Sequence, residues 1–240
     1  MLELKNIFQK FNNQEILSNI NLSLSAGEVL TLIGPSGGGK TSLLKICALL
    51  NRPISGDIII DDKICVRNGR RIVKPHSIWP KVTIIFQNLY LWPHLTARDN
   101  IALPHKDFDN QEKRLRELCE LFDLNPHLNK YPNELSAGQK QRVAIVRALL
   151  LNPGYILMDE ITASLDVEQA FNILEILAKL KNEKVGIILV THYLEFAKRI
   201  SDQIAFLDNG RIIDIGGPEM IDNPKNERVA IFVNKLRTLQ

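Results

Sequence analysis

The sequence GPSGGGKT at residues 34–41, followed by Ser42, constrains the fold of this chain more than any other feature. It fits the pattern G-x-x-x-x-G-K-[ST], whose glycines let the backbone approach an anion closely and adopt positive φ angles. An apolar run typical of a strand precedes it at residues 28–33, and a helical apolar stretch follows at residues 42–50. A strand, a glycine loop and a helix in this order turn several backbone N–H groups toward one anion. We therefore predict a phosphate-binding loop within an α/β fold.

The side chains of this loop suit a nucleoside triphosphate. The Lys40 ammonium would reach the β- and γ-phosphates, and the Thr41 hydroxyl would bind Mg²⁺. A glycine-rich turn ahead of a buried helix is the structural alternative, and the flanking strand and helix favour phosphate binding instead. The residues that we predict to surround the phosphates are Gly34, Pro35, Ser36, Gly37, Gly38, Gly39, Lys40, Thr41 and Ser42.

Size and charge narrow the classes of protein to which the chain can belong. Its 240 residues allow one large domain or two small ones, and 45% hydrophobic with 24% charged residues is a globular balance. The net charge of +3 is too small to indicate nucleic-acid binding. Cys47, Cys65 and Cys119 are odd in number and lack C-x-x-C spacing, which indicates neither a disulfide framework nor a zinc site. A reducing compartment fits best.

The sequence contains no segment typical of export or of membrane insertion. The N-terminal stretch MLELKNIFQKF lacks the apolar region of a signal peptide. The longest apolar runs, such as LLKICALL and VGIILV, are far shorter than the roughly 20 residues of a spanning helix. We therefore expect a soluble protein whose action at a membrane would require a partner.

Hydrophobic patterning predicts two kinds of sheet. Residues 2–7 and 20–25 alternate apolar and polar side chains as half-buried strands do, which predicts an antiparallel β layer. Residues 204–213 contain an Asn-Gly pair between apolar runs and are typical of a hairpin. We expect a loop at residues 67–80 and a short helix at residues 226–236. Residues 57–60 read as another strand after the first helix. Further β-type runs alternate with helical stretches, the order of a parallel sheet, at residues 81–86, 155–158 and 185–190.

Helical periodicity dominates between residues 96 and 152. Ser136 is a natural N-cap for a helix that we expect to run to about residue 150. This segment is predicted to be a helical insertion within the α/β core. One helix face within it, at i, i+3, i+4 and i+7, is formed by Leu115, Leu118, Cys119 and Phe122.

Two carboxylates follow one of the predicted core strands. Asp159 and Glu160 come directly after residues 155–158, at the edge of a parallel sheet where ligands usually bind. Asp159 could complete the Mg²⁺ shell, and Glu160 could polarise a water for in-line attack on the γ-phosphate. A solvated acidic turn is the alternative, and the glycine loop upstream favours catalysis.

The sequence LSAGQ at residues 135–139 lies between the glycine loop and the Asp-Glu pair, and this order resembles the signature of ATP-binding cassette (ABC) proteins. The resemblance extends over nearly the whole chain. It implies one nucleotide-binding domain over residues 1–240, with a P-loop NTPase (RecA-like) core, an antiparallel β subdomain and an α-helical insertion. It assigns the core and its β layer to residues 1–86 and 153–240, and the helical subdomain to residues 87–152.

The resemblance also implies roles for residues outside the loop. Phe11 stands where an aromatic residue stacks on adenine, with Phe8 as a competitor. Gln87 matches the glutamine that senses Mg²⁺ and relays to a transporter, and His192 matches the histidine that contacts the γ-phosphate. Asp166 resembles the aspartate that crosses the dimer interface. Each has a structural alternative, respectively a core aromatic, a polar strand end, a structural histidine and a helix N-cap.

In the family two copies face each other head to tail, so that ATP on one P-loop meets the signature helix of the other copy. The N–H groups and partial positive charge at that helix N-terminus suit a γ-phosphate. ATP binding would close the dimer and hydrolysis would open it, which would do work on attached membrane subunits. The resemblance assigns this contact to Ser136, Ala137, Gly138 and Gln139.

Four residues depart from the usual family pattern. Ile161 stands where proline usually follows the glutamate, Ala163-Ser164 replaces the commoner Ser-Ala, and Ala137 replaces a glycine of the signature. Ala137 keeps its N–H and adds one methyl group, so a phosphate contact survives where the space allows. We expect these differences to change the rate of ATP hydrolysis more than the type of reaction, so the enzyme should be slow.

The resemblance implies the ATP-hydrolysing subunit of an ABC transporter, with ATP and Mg²⁺ as cofactors, on the cytoplasmic face of the cell membrane. The implied partners are integral membrane permease subunits, a second copy of the chain and, indirectly, a solute-binding protein, without nucleic acid. Residues 88–100 and 217–232 look like those of importers of polar amino acids. Lipoprotein release or import of another solute is the alternative.

Three other functions fit the sequence less well. Soluble cassette ATPases that act on DNA or ribosomes usually carry a coiled-coil insertion or two cassettes, and this chain has neither. LSAGQ and His192 argue against a P-loop kinase or another NTPase. Glu160 and His192 argue against a non-hydrolysing regulator.

Overall fold

A computed structural model describes residues 1–105, 108–161 and 167–238, and within these ranges the chain forms two β-sheets and eight α-helices. The first sheet is antiparallel, and Leu2 pairs with Leu24 and Leu4 with Leu22, as the predicted β layer requires. Its strands are β1 (Leu2–Phe11), β2 (Gln14–Leu24), β4 (Ser55–Ile60), β5 (Lys63–Arg67) and β6 (Arg70–Arg71), in the order β2-β1-β4-β5-β6.

The prediction of a loop over residues 67–80 is wrong in part. Arg70–Arg71 form the edge strand β6, and Pro75–Ser77 form a 3₁₀ turn. Both arginines are exposed, so this strand is held by backbone pairing and buries no apolar side chain. A strand of that kind leaves no hydrophobic period in the sequence.

The second sheet is the predicted core. Every residue of three of its strands, at positions 29–33, 155–159 and 186–190, is buried, which explains their continuous apolar sequences. Five neighbouring strands are parallel, and the sixth forms the predicted hairpin. The strands are β3 (Val29–Ile33), β7 (Val82–Ile85), β8 (Tyr155–Asp159), β9 (Gly186–Val190), β10 (Gln203–Asp208) and β11 (Arg211–Gly216), in the order β11-β10-β3-β9-β8-β7.

The described part of the chain contains a stretch in which helices occur without strands. Leu115, Leu118 and Cys119 are buried on one helix face, as expected, and the described residues between 96 and 152 contain no strand. The exact boundaries at residues 87 and 152 remain a prediction. The helices are α1 (Lys40–Cys47), α2 (Ala97–Ala102), α3 (Glu112–Leu121), α4 (Ala137–Leu149), α5 (Val167–Asn182), α6 (Leu194–Ile200), α7 (Glu219–Asp222) and α8 (Glu227–Arg237).

The parallel sheet is buried on both faces. Ile187 and Leu189 of β9 pack in one apolar cluster with the helical segment, whereas Ile188 and Val190 pack in another with the first sheet and α1. No helix in the described ranges is long and apolar enough to cross a bilayer. Because both faces are covered, polar side chains reach solvent at the carboxyl edge of the sheet, where β3, β8 and β9 end side by side.

The three cysteines are buried and unpaired, in agreement with the absence of a disulfide pattern. Burial raises the pKa of the Cys47 thiol to about 12 and that of the Cys119 thiol to about 11. It also raises the pKa of Cys65. All three side chains serve as small apolar core residues.

Candidate functional site

The loop between β3 and α1 is shaped by its backbone. Gly34 has a φ of +144°, and a Cβ atom there would lie 2.0 Å from the carbonyl oxygen of Leu207. Gly39 caps α1 with a φ of +104°, and a Cβ atom there would lie 2.9 Å from the carbonyl oxygen of Ile16. Both positions therefore require glycine, which lets the loop pack closely against β2 and β10. The N–H of Gly38 closes the loop by donating to Pro35 O at 3.1 Å.

Lys40 begins α1 and lies inside the loop. The residue is 5% exposed, and its Nζ donates to Gly34 O at 2.8 Å and to Pro35 O at 2.9 Å. Burial lowers the pKa of Lys40, and the negative charges of Glu160 and Asp159 oppose that shift. The loop therefore contains a fixed cationic group beside two carboxylates.

A cleft of about 250 Å³ opens over the loop and brings Glu160 next to the predicted phosphate-binding residues. Ile16 on β2 also lines it, and sequence reasoning misses this residue. Its local pattern is that of an ordinary strand position, so only the fold connects it to the loop. The cleft is lined by Ile16, Ser36, Gly37, Gly39, Lys40, Thr41, Ser42 and Glu160.

Asp159 ends β8 and is 5% exposed. Burial raises the pKa of its carboxyl, and a hydrogen bond from the Thr41 side chain acts in the opposite direction. A buried carboxylate beside a hydroxyl provides the hard oxygen donors that Mg²⁺ prefers, so these two residues fit that ion. The described residues contain no cluster of three or more His, Cys, Asp or Glu side chains that could hold a metal without other ligands. Phosphate and water oxygens would have to complete the shell.

Glu160 follows β8 in a backbone conformation that is uncommon outside glycine, with a φ of +50°. Its N–H donates to Val190 O of β9 at 3.0 Å, and the next side chain, Ile161, is buried in the core. His192 Nε2 lies 2.6 Å from Glu160 Oε1. An ionised carboxylate can only accept, so Nε2 carries the hydrogen. The structure thus pairs two residues that the sequence predicted separately.

The remaining residues that were predicted around the nucleotide lie at the margin of the cleft or outside the described part of the chain. Gln87 is exposed and follows β7, which runs parallel to β8, so it leaves the sheet at the same edge as Asp159. Phe11 ends β1, is 69% exposed and does not line the cleft, whereas Phe8 is partly buried. Asp166 lies outside the described residues, as do positions 163–164.

The signature residues form a separate structure at the N-terminus of α4. Ser136 is the N-cap, as predicted: its Oγ accepts from the Gln139 N–H at 3.2 Å, and Gln139 Oε1 accepts from the Ser136 N–H at 3.0 Å. This reciprocal capping box satisfies two backbone N–H groups at the helix terminus. Ser136 and Ala137 are exposed, and Gly138 is buried. None of these four residues lines the cleft over the loop.

Comparison with known sequences identifies the family of this chain. The sequence model of the ABC transporter family matches residues 17–163. The chain is 37% identical to the glutamine transport ATP-binding protein GlnQ of Escherichia coli strain K12, over 97% of this chain and 98% of that protein. It is 38% identical to the L-cystine import ATP-binding protein TcyN of Bacillus subtilis strain 168, over 98% of this chain and 93% of that protein.

Solved structures give the same fold. The dimeric structure of MJ0796, a bacterial ABC transporter cassette, matches with a TM-score of 0.81 at 33% identity, over 91% of this chain and 99% of that one. A dimeric post-hydrolysis state of MJ0796 bound to ADP and Pi matches with a TM-score of 0.80 at 31% identity, over the same shares of 91% and 99%.

Proposed function

This chain belongs to the ABC transporter family and is an ATP-hydrolysing cassette, and from this premise we propose that it powers the uptake of a polar amino acid. The predictions of the family, of the mixed α/β P-loop fold and of ATPase activity are thereby confirmed. One observation carries the site assignment, namely the convergence of Lys40, the Thr41–Asp159 pair and the Glu160–His192 pair at one sheet edge.

ATP is proposed to lie with its phosphates on the glycine loop, where backbone N–H groups and Lys40 Nζ donate to phosphate oxygens. Lys40 would exchange its bonds to Gly34 O and Pro35 O for bonds to the nucleotide. Because Lys40 is buried, its attraction to a phosphate is weakly screened by water. Phe11 is proposed to stack on adenine, and its exposure at the end of β1 leaves the ring available.

Thr41 and Asp159 are proposed to hold Mg²⁺, with Gln87 approaching from the neighbouring strand end. When bound, the ion supplies positive charge against the phosphates. The raised pKa of Asp159 supports this assignment, because a carboxylate that is costly to bury gains from a nearby cation.

Glu160 is proposed to be the general base that orients the attacking water and accepts its proton. The His192 Nε2–H bond holds the carboxylate of Glu160 in place, and His192 is also proposed to contact the γ-phosphate. The buried side chain of Ile161 anchors the turn that presents Glu160 to the cleft.

The second half of the site is proposed to come from another copy of the chain. Ser136 and Ala137 are exposed at the start of α4, and Gly138 and Gln139 continue the same turn. These four residues are proposed to meet the nucleotide bound to the other copy. The dimeric cassettes of MJ0796 support a homodimer. Asp166 is proposed to contribute to the same interface.

We place the protein at the cytoplasmic face of the membrane, bound to permease subunits and, through them, to a solute-binding protein. The segment after Gln87 supports a docking surface, since Tyr90 is 66% exposed and Trp92 is 51% exposed. Arg147 donates to Leu89 O at 2.6 Å and to Tyr90 O at 3.0 Å, which fixes the backbone that carries these aromatic side chains.

The names of the relatives support the substrate class. GlnQ is named for glutamine transport and TcyN for L-cystine import, and both align with nearly all of this chain. A polar amino acid is therefore the proposed solute.

Replacement of Glu160 by Gln tests the proposal. The amide keeps the shape of the side chain but cannot accept a proton, so ATP hydrolysis should fall by about 10²–10⁴-fold. The contacts of Lys40 and Ser136 remain, so Mg-ATP should convert the variant from a monomer into a long-lived dimer, and ADP should not. Size-exclusion chromatography with light scattering and a phosphate-release assay measure both effects.

Ser136→Arg in the Glu160→Gln background is the matched control, because the larger side chain fills the signature contact and should abolish the dimer. An unchanged ATPase rate in Glu160→Gln would exclude the catalytic role of Glu160. If Glu160→Gln loses hydrolysis as expected but forms no dimer in saturating ATP, the isolated chain does not assemble as proposed.

A further inference from the structure

The hydrogen-bond directions at the start of α4 are fixed by the capping box. The Ser136 N–H is a donor, so the atom of Gln139 that faces it at 3.0 Å must be the amide oxygen Oε1. The other amide atom, Nε2, carries two hydrogens and can only donate. The orientation of the Gln139 side chain is thereby determined without reference to any other group.

His127 receives the bond from that amide. Its Nε2 lies 3.1 Å from Gln139 Nε2, and an imidazole nitrogen that faces a donor must present a lone pair. His127 is therefore neutral in this arrangement, with its hydrogen on Nδ1. Nδ1 is buried and has no hydrogen-bond partner among the described residues. Within that part of the chain, the ring is therefore held by its hydrogen bond from the Gln139 amide.

The charges around His127 oppose its protonation. Burial lowers the pKa of the ring, and the positive charges of Lys130 and Arg142 add to that shift. Arg142 itself is held by Phe122 O at 2.9 Å and by the carboxylate of Asp123 at 3.8 Å. The Asp123 side chain is 86% exposed, so its charge is well screened and offsets Arg142 only weakly.

Protonation of His127 would break one bond of the chain that links Ser136, Gln139 and His127. A hydrogen on Nε2 would face the Gln139 amide hydrogens, so two donors would meet. If the amide rotated to present its oxygen to the ring, its nitrogen would then face the Ser136 N–H, again donor to donor. In either arrangement one bond of the Ser136–Gln139–His127 chain is lost, so the residues at the start of α4 are held less firmly.

We propose that His127 is a positioning residue for the ATPase reaction. Through Gln139 it holds the signature residues at the start of α4 in place only while its ring is neutral. The inference rests on the proposed function, in which Ser136 to Gln139 complete the ATP site of a second copy. Acidification below the ordinary histidine pKa of 6.5 would therefore weaken the contact between two copies before it affects the P-loop cleft.

Nitrogen NMR of the histidine rings tests the first step without any ATPase measurement. In the nucleotide-free protein, His127 should be the Nδ1–H tautomer and should titrate below pH 6.5. In Gln139→Glu, a carboxylate would accept from both the Ser136 N–H and a protonated ring, so the His127 pKa should rise above that value. An Nε2–H tautomer, or a pKa that does not respond to Gln139→Glu, overturns the proposal.

Two substitutions test the consequence for catalysis. His127→Gln can place an acceptor near the Nε2 position and cannot be protonated, so it should keep the activity at pH 7.5 and lose part of the decline on the acidic side. His127→Leu removes the acceptor and should lower kcat about fivefold, the size of a lost helix cap. Binding of a fluorescent ATP analogue to the cleft should change by less than about twofold, because the two sites are separate.

His76→Gln, at an exposed histidine in the 3₁₀ turn, is the control and should reproduce the parent pH profile. Equal kcat in His127→Leu and the parent, or a parent-like acidic decline in His127→Gln, would refute the positioning role. If the parent protein hydrolysed no ATP, the proposed function would fail. The His127 tautomer and the Gln139→Glu titration would still decide whether neutral His127 holds Gln139.

Discussion

The two halves of the proposed ATP site are held together in different ways. The P-loop half is built from backbone geometry, with glycines at positive φ, close contact to β10 and a buried Lys40. The signature half is built from side-chain hydrogen bonds at an exposed helix terminus, from Ser136 through Gln139 to His127. The backbone at Gly34 and Gly39 tolerates no side chain, whereas a side-chain network can rearrange at the cost of one bond.

This difference matches what each half has to do. The P-loop cleft must bind a nucleotide whether or not a second copy is present, so its shape is fixed by its own chain. In the proposed cycle the signature residues meet and leave a nucleotide on another copy, so a contact of moderate strength suits them. Substitutions should therefore abolish function in the first half and reduce it in the second.

The largest effect is expected for Gly34→Ala. The added Cβ would meet Leu207 O at 2.0 Å, so either the loop or β10 must move. We expect a loss of about 2–4 kcal/mol in unfolding free energy and loss of ATP binding. Chemical denaturation and nucleotide titration measure the two effects.

Gly37→Ala is the matched control for that substitution. Gly37 also has a positive φ, of +78°, but a Cβ there would meet nothing within 4 Å. Its cost should be limited to backbone strain of about 1–2 kcal/mol. Equal losses in both variants would show that close packing against β10 does not shape the loop.

A smaller effect is expected for Lys40→Ala, which leaves the backbone of the loop in place. It removes a charged donor to phosphate, worth about 1.5–3 kcal/mol, so ATP should bind roughly 10- to 100-fold more weakly. Isothermal titration calorimetry with ATP measures this. Lys63→Ala removes an exposed cation on β5 that does not line the cleft, and a loss as large there would mean that general charge rather than Lys40 holds the phosphates.

The smallest effect is expected for Ser136→Ala in the other half. Loss of the N-cap oxygen costs about 1 kcal/mol, so kcat should fall about fivefold while ATP affinity of the isolated cleft stays unchanged. Ser136→Thr keeps the oxygen and should restore most of the rate. A Ser136→Ala protein that binds ATP more weakly in its monomeric form would contradict the separation of the two halves.

Local sequence patterns predicted the parts of the site whose chemistry is contained in a short segment. The glycine loop, the Asp159–Glu160 pair and the Ser136 cap each combine a fixed spacing with an element boundary, and the structure places all three where the patterns indicated. The antiparallel layer and the core strands followed for the same reason, because alternation and apolar runs are local signals.

Contacts between distant segments could not be predicted in this way. Ile16 lines the cleft because β2 packs beside the loop, and His127 reaches Gln139 because a 3₁₀ turn folds back on α4. The bond between Glu160 and His192 depends on β8 and β9 being neighbours. None of these pairs has a spacing rule, so only the three-dimensional fold connects them.

The buried cysteines have a practical consequence for labelling chemistry. Thiol reagents attack the exposed thiolate, and Cys47, Cys65 and Cys119 are all 0% exposed with raised pKa values. A maleimide added to the folded protein should therefore leave all three unmodified. A cysteine introduced on the exposed surface of α4 would carry a spin or fluorescent probe in an otherwise native sequence. The distance between two such probes would follow the approach and separation of two copies directly.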